Sequence, residues 1–446
     1  MKFWPLFLLC LAVCPAYGLQ DTTLSLAQCE QDALRSSAQL QKLQANVRAA
    51  QAQEQASAAA LYPSFSLDAK GSWVSEVPSL TMGGAELKFG DTWGYSAGPT
   101  VNYVLFDNGG RSAVHKSSAK MRSSQEQEYE FAKKQTLLQV RQAYFAVQQQ
   151  LQRLVLLNGQ LEVTQKQRTD VESAYKAGGK SKLDVSVAAK QVLQTQTAMS
   201  AARGALAAQL RALFKLTSTD YGINPVYPTD KRLANVKLDG TTSAVLNTDS
   251  LENTLAVFIP FADGEFDENS PKLAALDDMA QYYEYLAASY RSSLYPRVVL
   301  QGGAYWEYPN GALREHVFLG RGGAALSMPL FEGGKDRRQA QAQRERARAA
   351  EYEKQDALET LEKLFYSAKD RLYALQVQEK LVRQTIQEAQ ETARLTYQAY
   401  QAGAVTFFEV DKANLTLLES RLSLADLQVE QLNQLAVLNS LSKENL

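Results

Sequence analysis

The side chains able to do chemistry are few and scattered. The 446-residue chain holds two histidines, His115 and His316, and three cysteines. The histidines lie far apart with no ligand partners beside them. These counts leave too little for a zinc cluster, a Cys/His hydrolase or a disulfide framework. Gly179-Lys180-Ser181 has the ending of a phosphate-binding loop. That loop needs glycine where Ala174 stands, and a strand where the chain reads as helix. Gly320, Gly322 and Gly323 fall inside a strand pattern, so they make no dinucleotide loop. The acidic run Asp263, Glu265, Asp267 and Glu268 lacks the ligand spacing of a calcium loop. The expectation is no enzyme, no cofactor and no bound metal. Lys+Arg 47 against Asp+Glu 48 gives a net charge of −1, which argues against a nucleic-acid partner.

One pair of carboxylates stands out. Asp184 and Glu409 occupy equivalent places just past Gly178-Gly179 and Gly403. Read alone, each opposes a helix dipole from the first turn, which contributes a few tenths of a kcal/mol to about 1 kcal/mol. Their equivalence comes from a repeat. Leu61-Tyr62-Pro63 to Trp73 is echoed by Leu294-Tyr295-Pro296 to Trp306. Phe106-Asp107-Asn108-Gly109 is echoed by Phe331-Glu332-Gly333-Gly334. Ala174-Tyr175-Lys176-Ala177-Gly178 with Asp184-Val185 is echoed by Ala399-Tyr400-Gln401-Ala402-Gly403 with Glu409-Val410. The pairs keep their order, so the chain is a tandem duplication of one helix–strand–strand–long-helix–helix unit.

Glycine and proline then mark the elements. Residues 335–402 and 404–446 contain neither, and residues 111–177 contain only Gly159. These stretches are rich in good helix formers, and a helix of about 68 residues is about 100 Å long. Leu358, Leu361, Phe365, Ala368, Leu372 and Leu375 step by three and four. The step resumes at Val382, Ile386, Ala389, Ala393, Thr396 and Tyr400. Val140, Ala143, Val147, Leu154, Leu157, Leu161, Thr164, Val171 and Tyr175 follow the same seven-residue frame in the first copy. The glycines end each long helix, and a second helix returns over about 183–216 and 407–443. Each copy is a long antiparallel hairpin with a glycine tip.

Between the Tyr-Pro turns and the long helices the period changes to two. Phe65, Leu67, Ala69, Gly71 and Trp73 alternate with Ser64, Ser66, Asp68, Lys70 and Ser72. Tyr95, Ala97, Val101, Tyr103 and Leu105 alternate with polar or small residues, although Pro99 cannot donate to a ladder. Val298, Leu300, Ala304 and Trp306, then Phe318, Ala324, Leu326 and Met328, repeat the alternation in the second copy. The strands are placed at about 63–75, 91–105, 296–308 and 316–331. Each is long enough for a tilted membrane strand.

The chain opens Met1-Lys2, runs apolar from Phe3 to Val13 and reaches Ala16-Tyr17-Gly18. That predicts a signal peptide over 1–18, with lipid attachment at Cys14 as the alternative. The remaining divisions are a first repeat at 19–216 with its helical hairpin at 109–216, a connecting segment at 217–270, and a second repeat at 271–446 with its hairpin at 333–443. No later apolar run is long enough for a membrane helix, so the mature chain either is soluble or crosses a membrane as strands. Four strands cannot close a transmembrane barrel, and an open edge in lipid leaves several kcal/mol per backbone group unpaid for. A membrane reading therefore demands an oligomer. The alternative is a soluble periplasmic or secreted coiled-coil scaffold with a small β-domain.

Across essentially its whole mature length the chain resembles the outer membrane efflux protein family, the TolC-like channels. The resemblance rests on the duplicated unit, the Leu-Tyr-Pro turns, Met328-Pro329-Leu330-Phe331-Glu332-Gly333-Gly334, Arg141-Gln142-Ala143-Tyr144-Phe145 and the Gly-to-Asp/Glu-Val tips. It implies a mainly α protein with membrane β-strands: a homotrimeric α-barrel in the periplasm beneath a 12-stranded transmembrane β-barrel, four strands per chain. It also implies a passive outer-membrane exit duct, with outer-membrane lipid around it and a periplasmic adaptor (membrane fusion) protein and an inner-membrane transporter as partners. Under it, Asp184 and Glu409 face the lumen as a channel constriction. Lys412 stands where a further acidic residue is familiar, so that a Glu409–Lys412 contact would offset the repulsion. The tips Gly178, Gly179 and Lys180, and Gly403, Ala404 and Val405, then contact the adaptor, with Val405, Phe407 and Phe408 exposed towards it or folded back into the hairpin.

Overall fold

The computed structural model describes residues 24–82, 85–219 and 248–443. The signal-peptide and Cys14 readings, and most of the connecting segment, lie outside them. The chain divides into two compact units: Met1–Ser37, Lys134–Phe266 and Leu364–Leu446 form one, and Ala38–Lys133 with Asp267–Lys363 form the other.

The second unit carries the strands. They are β1 (Ser64–Trp73), β2 (Ser79–Met82), β3 (Ala85–Lys88), β4 (Trp93–Phe106), β5 (Arg297–Tyr308) and β6 (Val317–Ser327). β1, β4, β5 and β6 make one antiparallel sheet in that order, and β2 pairs with β3 in a separate small hairpin. That hairpin has no counterpart in the period-two pattern, because four-residue strands are too short to show alternation.

The register sorts the faces of the main sheet. Phe65 faces Val101, Ala69 faces Ala97 and Trp73 faces Trp93. Ala97 in turn faces Trp306, and Tyr103 faces Leu300. Trp306 faces Phe318, and Val298 faces Leu326. Because neighbours across a ladder point to the same side, these residues share one face, and no charged residue lies on it. Asp68, Lys70, Asn102, Gln301, Glu307 and Arg321 share the other. There Thr100 Oγ1 donates to Asp68 at 2.6 Å, and Arg321 pairs with Glu307 at 2.6 Å. Among the described residues nothing covers the apolar face at Phe65, which is 81% exposed, or at Phe318, which is 71% exposed.

Pro99 sits in a central strand despite its missing N–H. It faces Leu67 of β1, while towards β5 the paired positions skip from Ala97/Trp306 to Thr100/Gly303. Gly98 explains the tolerance: a Cβ there would lie 1.9 Å from the Ala304 carbonyl oxygen. Close backbone approach replaces the lost pairing.

At the foot of the sheet, Asp107 caps the first long helix, α3 (Gly110–Lys176), by accepting from the Arg111 N–H at 2.9 Å. The Arg111 guanidinium then donates to Asp107, to the Ala60 carbonyl at 3.0 Å and to the Val104 carbonyl. One side chain thus ties strand end, helix start and preceding helix together.

The first unit is helical. Its share of α3 packs with α4 (Lys182–Thr217), the short α5 (Leu251–Phe258), the distal part of α7 (Lys335–Gln401) and α8 (Phe407–Leu441). In this scheme α6 is Pro271–Ser292, in the other unit, and α1 and α2 are Leu26–Ser36 and Ala38–Ala59. The seven-residue frame is the buried seam: Val140, Val147, Leu154, Leu157, Thr164 and Val171 are buried on α3, and Phe365, Ala368, Leu372, Leu375, Ala389, Ala393 and Tyr400 on α7. Tyr175 departs from the frame and is 41% exposed, stacked under Lys182. The seam is pinned by polar bonds that periodicity does not show. Arg141, buried, pairs with Glu30 at 2.6 Å, bonds Asn439 and lies over the Phe258 ring.

Candidate functional site at the hairpin tips

The two tips close by the same device. Gly178 has φ +79° and Gly403 φ +81°, a region that glycine enters without steric penalty. Gly179 N–H donates to the Ala174 carbonyl and Gly178 N–H to that of Tyr175. Ala404 and Gly403 repeat these bonds to Ala399 and Tyr400. Each long helix thus ends in a Schellman motif.

The starts of the return helices differ. Ser181 and Asp184 form a reciprocal capping box on α4: Ser181 Oγ accepts from the Asp184 N–H at 3.1 Å, and Asp184 accepts from the Ser181 N–H at 3.1 Å. Asp184 also accepts from Ser181 Oγ at 2.7 Å. Thr406, at the start of α8, makes no side-chain cap. Its place is filled from the other hairpin, since Asp184 Oδ1 accepts from the Phe407 N–H at 3.2 Å. Lys180 completes the exchange. Its ammonium donates to the Tyr400 carbonyl at 2.5 Å and lies 4.0 Å over the Tyr400 ring. A carboxylate therefore caps the N-terminus of one second-copy helix, and an ammonium caps the C-terminus of the other. Both charges have the sign the helix dipole favours.

This geometry sets the ionisation. Burial alone would raise the Asp184 carboxyl. The Ser181 hydroxyl and N–H, the Phe407 N–H and the Lys180 charge outweigh it and hold the group below the ordinary carboxylate range. Burial and the Asp184 charge push the Tyr400 hydroxyl up to about 12. Tyr397, raised to about 12 by burial and by its bond to Asp170 at 2.8 Å, makes a second link between the hairpins. Asn414 to Gln167 at 2.9 Å and Lys190 to Asp411 at 3.2 Å make two more.

Val171, Ala188, Tyr400, Phe407 and Val410 form a small core beneath the tips, with Val405 packed against it. Phe407 is fully buried and only Phe408, at 57%, is exposed. Of the two readings open for these side chains, Val405 and Phe407 follow the one in which they fold back into the hairpin, and Phe408 alone faces outwards. The two acidic residues also part company. Asp184 is half-buried and bonded, whereas Glu409 is exposed. Lys412 is exposed as well, and among the described residues it makes no ion pair with Glu409. Asp411, one residue earlier, takes the cation from Lys190 instead. Gly178, Gly179, Gly403 and Ala404 are exposed at the ends, and Lys180 is half-buried. Of the bonds at the tips, only the Ser181-x-x-Asp184 capping box, which lies within one hairpin, is visible in one stretch of sequence. Lys180, Tyr397, Asp170 and Lys190 find partners more than 200 residues away.

The sequence matches the outer membrane efflux protein family over residues 30–219 and 264–442. The chain belongs to that family. As an outer membrane efflux protein it is a passive duct for efflux and not an enzyme. Solved structures share the fold. CusC is 19% identical over 97% of this chain and 96% of that chain, with a TM-score of 0.74. The outer membrane protein VceC of Vibrio cholerae is 19% identical over 93% and 95%, at 0.73. The Campylobacter jejuni outer membrane channel CmeC is 16% identical over 93% and 84%, at 0.72. No curated protein sequence matches the chain.

Proposed function

We propose that the chain is the outer-membrane exit duct of a tripartite efflux or type I secretion system, working as a homotrimer. The observation that carries this reading is the four-stranded sheet: one face without a charge, the other polar, and both outer edges unpaired among the described residues. A bare apolar face suits lipid, and three copies supply the twelve strands a closed barrel of this kind needs. Among the described residues no helix is long and apolar enough to cross a membrane, so the strands are the crossing elements. The helical hairpins lie in the periplasm. Their tips, at Gly178, Gly179 and Lys180 and at Gly403, Ala404 and Val405, meet a periplasmic adaptor protein, and an inner-membrane transporter supplies the energy.

In this duct Asp184, Glu409 and Lys412 narrow the periplasmic end. Exposed Glu409 supplies three carboxylates around the threefold axis, with Lys412 one turn along the helix. Asp184 holds the two hairpins in the geometry that points them inward. The first test is the membrane fraction and native mass of the protein expressed in a diderm bacterium. An outer-membrane species of three times the chain mass is expected. A folded soluble protein overturns the reading in favour of a periplasmic scaffold. The constriction is tested in planar bilayers: Asp184→Ala with Glu409→Ala should raise conductance and abolish cation block, and unchanged values remove these residues from the constriction.

A further inference from the structure

The edges of the sheet specify how neighbouring copies join. We propose that β6 of one copy pairs antiparallel with β1 of the next in a single register, with Phe318 opposite the next copy's Trp73 and Ser327 opposite its Ser64. The inference rests on the trimeric reading above and adds the alignment of the seam.

Three constraints converge on this register. The first is the facing of side chains. Phe318 and Leu326 lie on the apolar face of β6, as Phe65 and Trp73 do on β1. A slip of one residue would drive one set into the wrong phase, so only alternate registers survive. The second is overlap. The proposed register pairs all ten residues of β1, and leaves none of its backbone groups open to lipid. A slip of two in either direction strands one end.

The third is closure. A line drawn across the sheet at right angles to the strands runs from Phe65 to Val101, then Gly302, then Gly322. In the proposed register Gly322 faces Ala69 of the next copy, so the line climbs four residues per copy. For three copies, with a rise of about 3.4 Å and a strand spacing of about 4.8 Å, that climb tilts the strands by about 35°. A slip of two residues one way gives about 20°, outside the roughly 35–45° of such barrels. The other way gives about 47°, at the upper limit, and overlap decides against it, because Ser64 and Phe65 then lie beyond the end of β6.

Charge alone would choose differently. The proposed register sets Lys70 across from Arg321, whereas a slip of two sets Asp68 there. Arg321 already holds Glu307 at 2.6 Å and Asp68 already accepts from Thr100. Both lie on the wet face, where an ion pair contributes little, so closure outweighs it.

Disulfide trapping reads the register directly. Directly opposed residues come within disulfide reach, whereas diagonal neighbours stand about 7–8 Å apart. On the polar face, Ser66→Cys with Ala325→Cys should convert most of the full-length membrane protein to a covalent trimer on oxidation, and the wild type should not convert. Ser66→Cys with Gly323→Cys, and Ser66→Cys with Ser327→Cys, should stay largely monomeric in denaturing gels. Trapping by either of these shifted pairs instead overturns the register while keeping the trimer. A native trimer in which no pair traps overturns edge pairing between β6 and β1. A native monomer overturns the trimeric reading itself.

Discussion

Replacing Asp184 by alanine should loosen the tips. The substitution removes three acceptor contacts, from the Ser181 N–H, the Ser181 hydroxyl and the Phe407 N–H. Loss of a cap costs about 1 kcal/mol. Loss of a charge that opposes the dipoles of both return helices adds about 0.3–1 kcal/mol. The total is about 2 kcal/mol, felt as local opening of the tip rather than global unfolding. Hydrogen exchange in the peptide containing Phe407 and Val410 should then be faster by about 30-fold, since 1.4 kcal/mol is a factor of ten. Asp184→Asn keeps an acceptor for the Phe407 N–H and should show only a few-fold change. Glu409→Ala, at the equivalent but exposed position, should stay within about 0.5 kcal/mol. The pH dependence has a definite sign. The carboxyl is held below its ordinary value, so its contribution is complete above the unfolded pKa of about 3.9 and is lost as the pH falls through the lower folded value. Protection at the tip, corrected for intrinsic exchange, should be flat from about pH 5 to 8 and fall only below about pH 4. Exchange within two-fold of wild type in Asp184→Ala, or an equal response in Glu409→Ala, would refute the cross-capping argument.

Phe407→Ala should weaken the tip core by about 3–5 kcal/mol, and Phe408→Ala by less than about 0.5 kcal/mol, readable by limited proteolysis at the tips. Lys180→Met keeps the length of the side chain but removes the charge, and should cost about 1 kcal/mol in the same exchange experiment. Gly98→Ala forces a methyl to 1.9 Å from the Ala304 carbonyl and should prevent assembly of the sheet, seen as loss of a heat-modifiable membrane species. Gly320→Ala, whose added Cβ meets nothing within 4 Å, should assemble normally.

The elements with long or strict periods were legible. The seam of α7 could be read from Leu361 through Tyr400, because a seven-residue repeat kept over many turns has no other use. The two faces of β1 were legible for the same reason. Tip chemistry was not, since its partners are set by which helix lies beside which. Phe407 and Phe408 are identical neighbours in sequence, and only the packing of Val171, Ala188 and Tyr400 decides that the first is buried. Asp184 and Glu409 looked equivalent because the repeat makes them so. The difference between Ser181 and Thr406 as caps emerged only with the neighbouring hairpin in place. Pro99 argued against a central strand until the approach of the Ala304 backbone to Gly98 gave it room.

The exchange of caps at the tips also says something about descent. A newly duplicated gene has interchangeable halves, and either could be replaced by the other. Here Lys180 and Asp184 of the first half bond backbone groups at both helix ends of the second, where Val405 stands in place of lysine and Thr406 makes no cap. The first tip carries its own capping box, whereas the second borrows its cap from its sister. The dependence runs one way, so the second half could no longer be excised and stand alone.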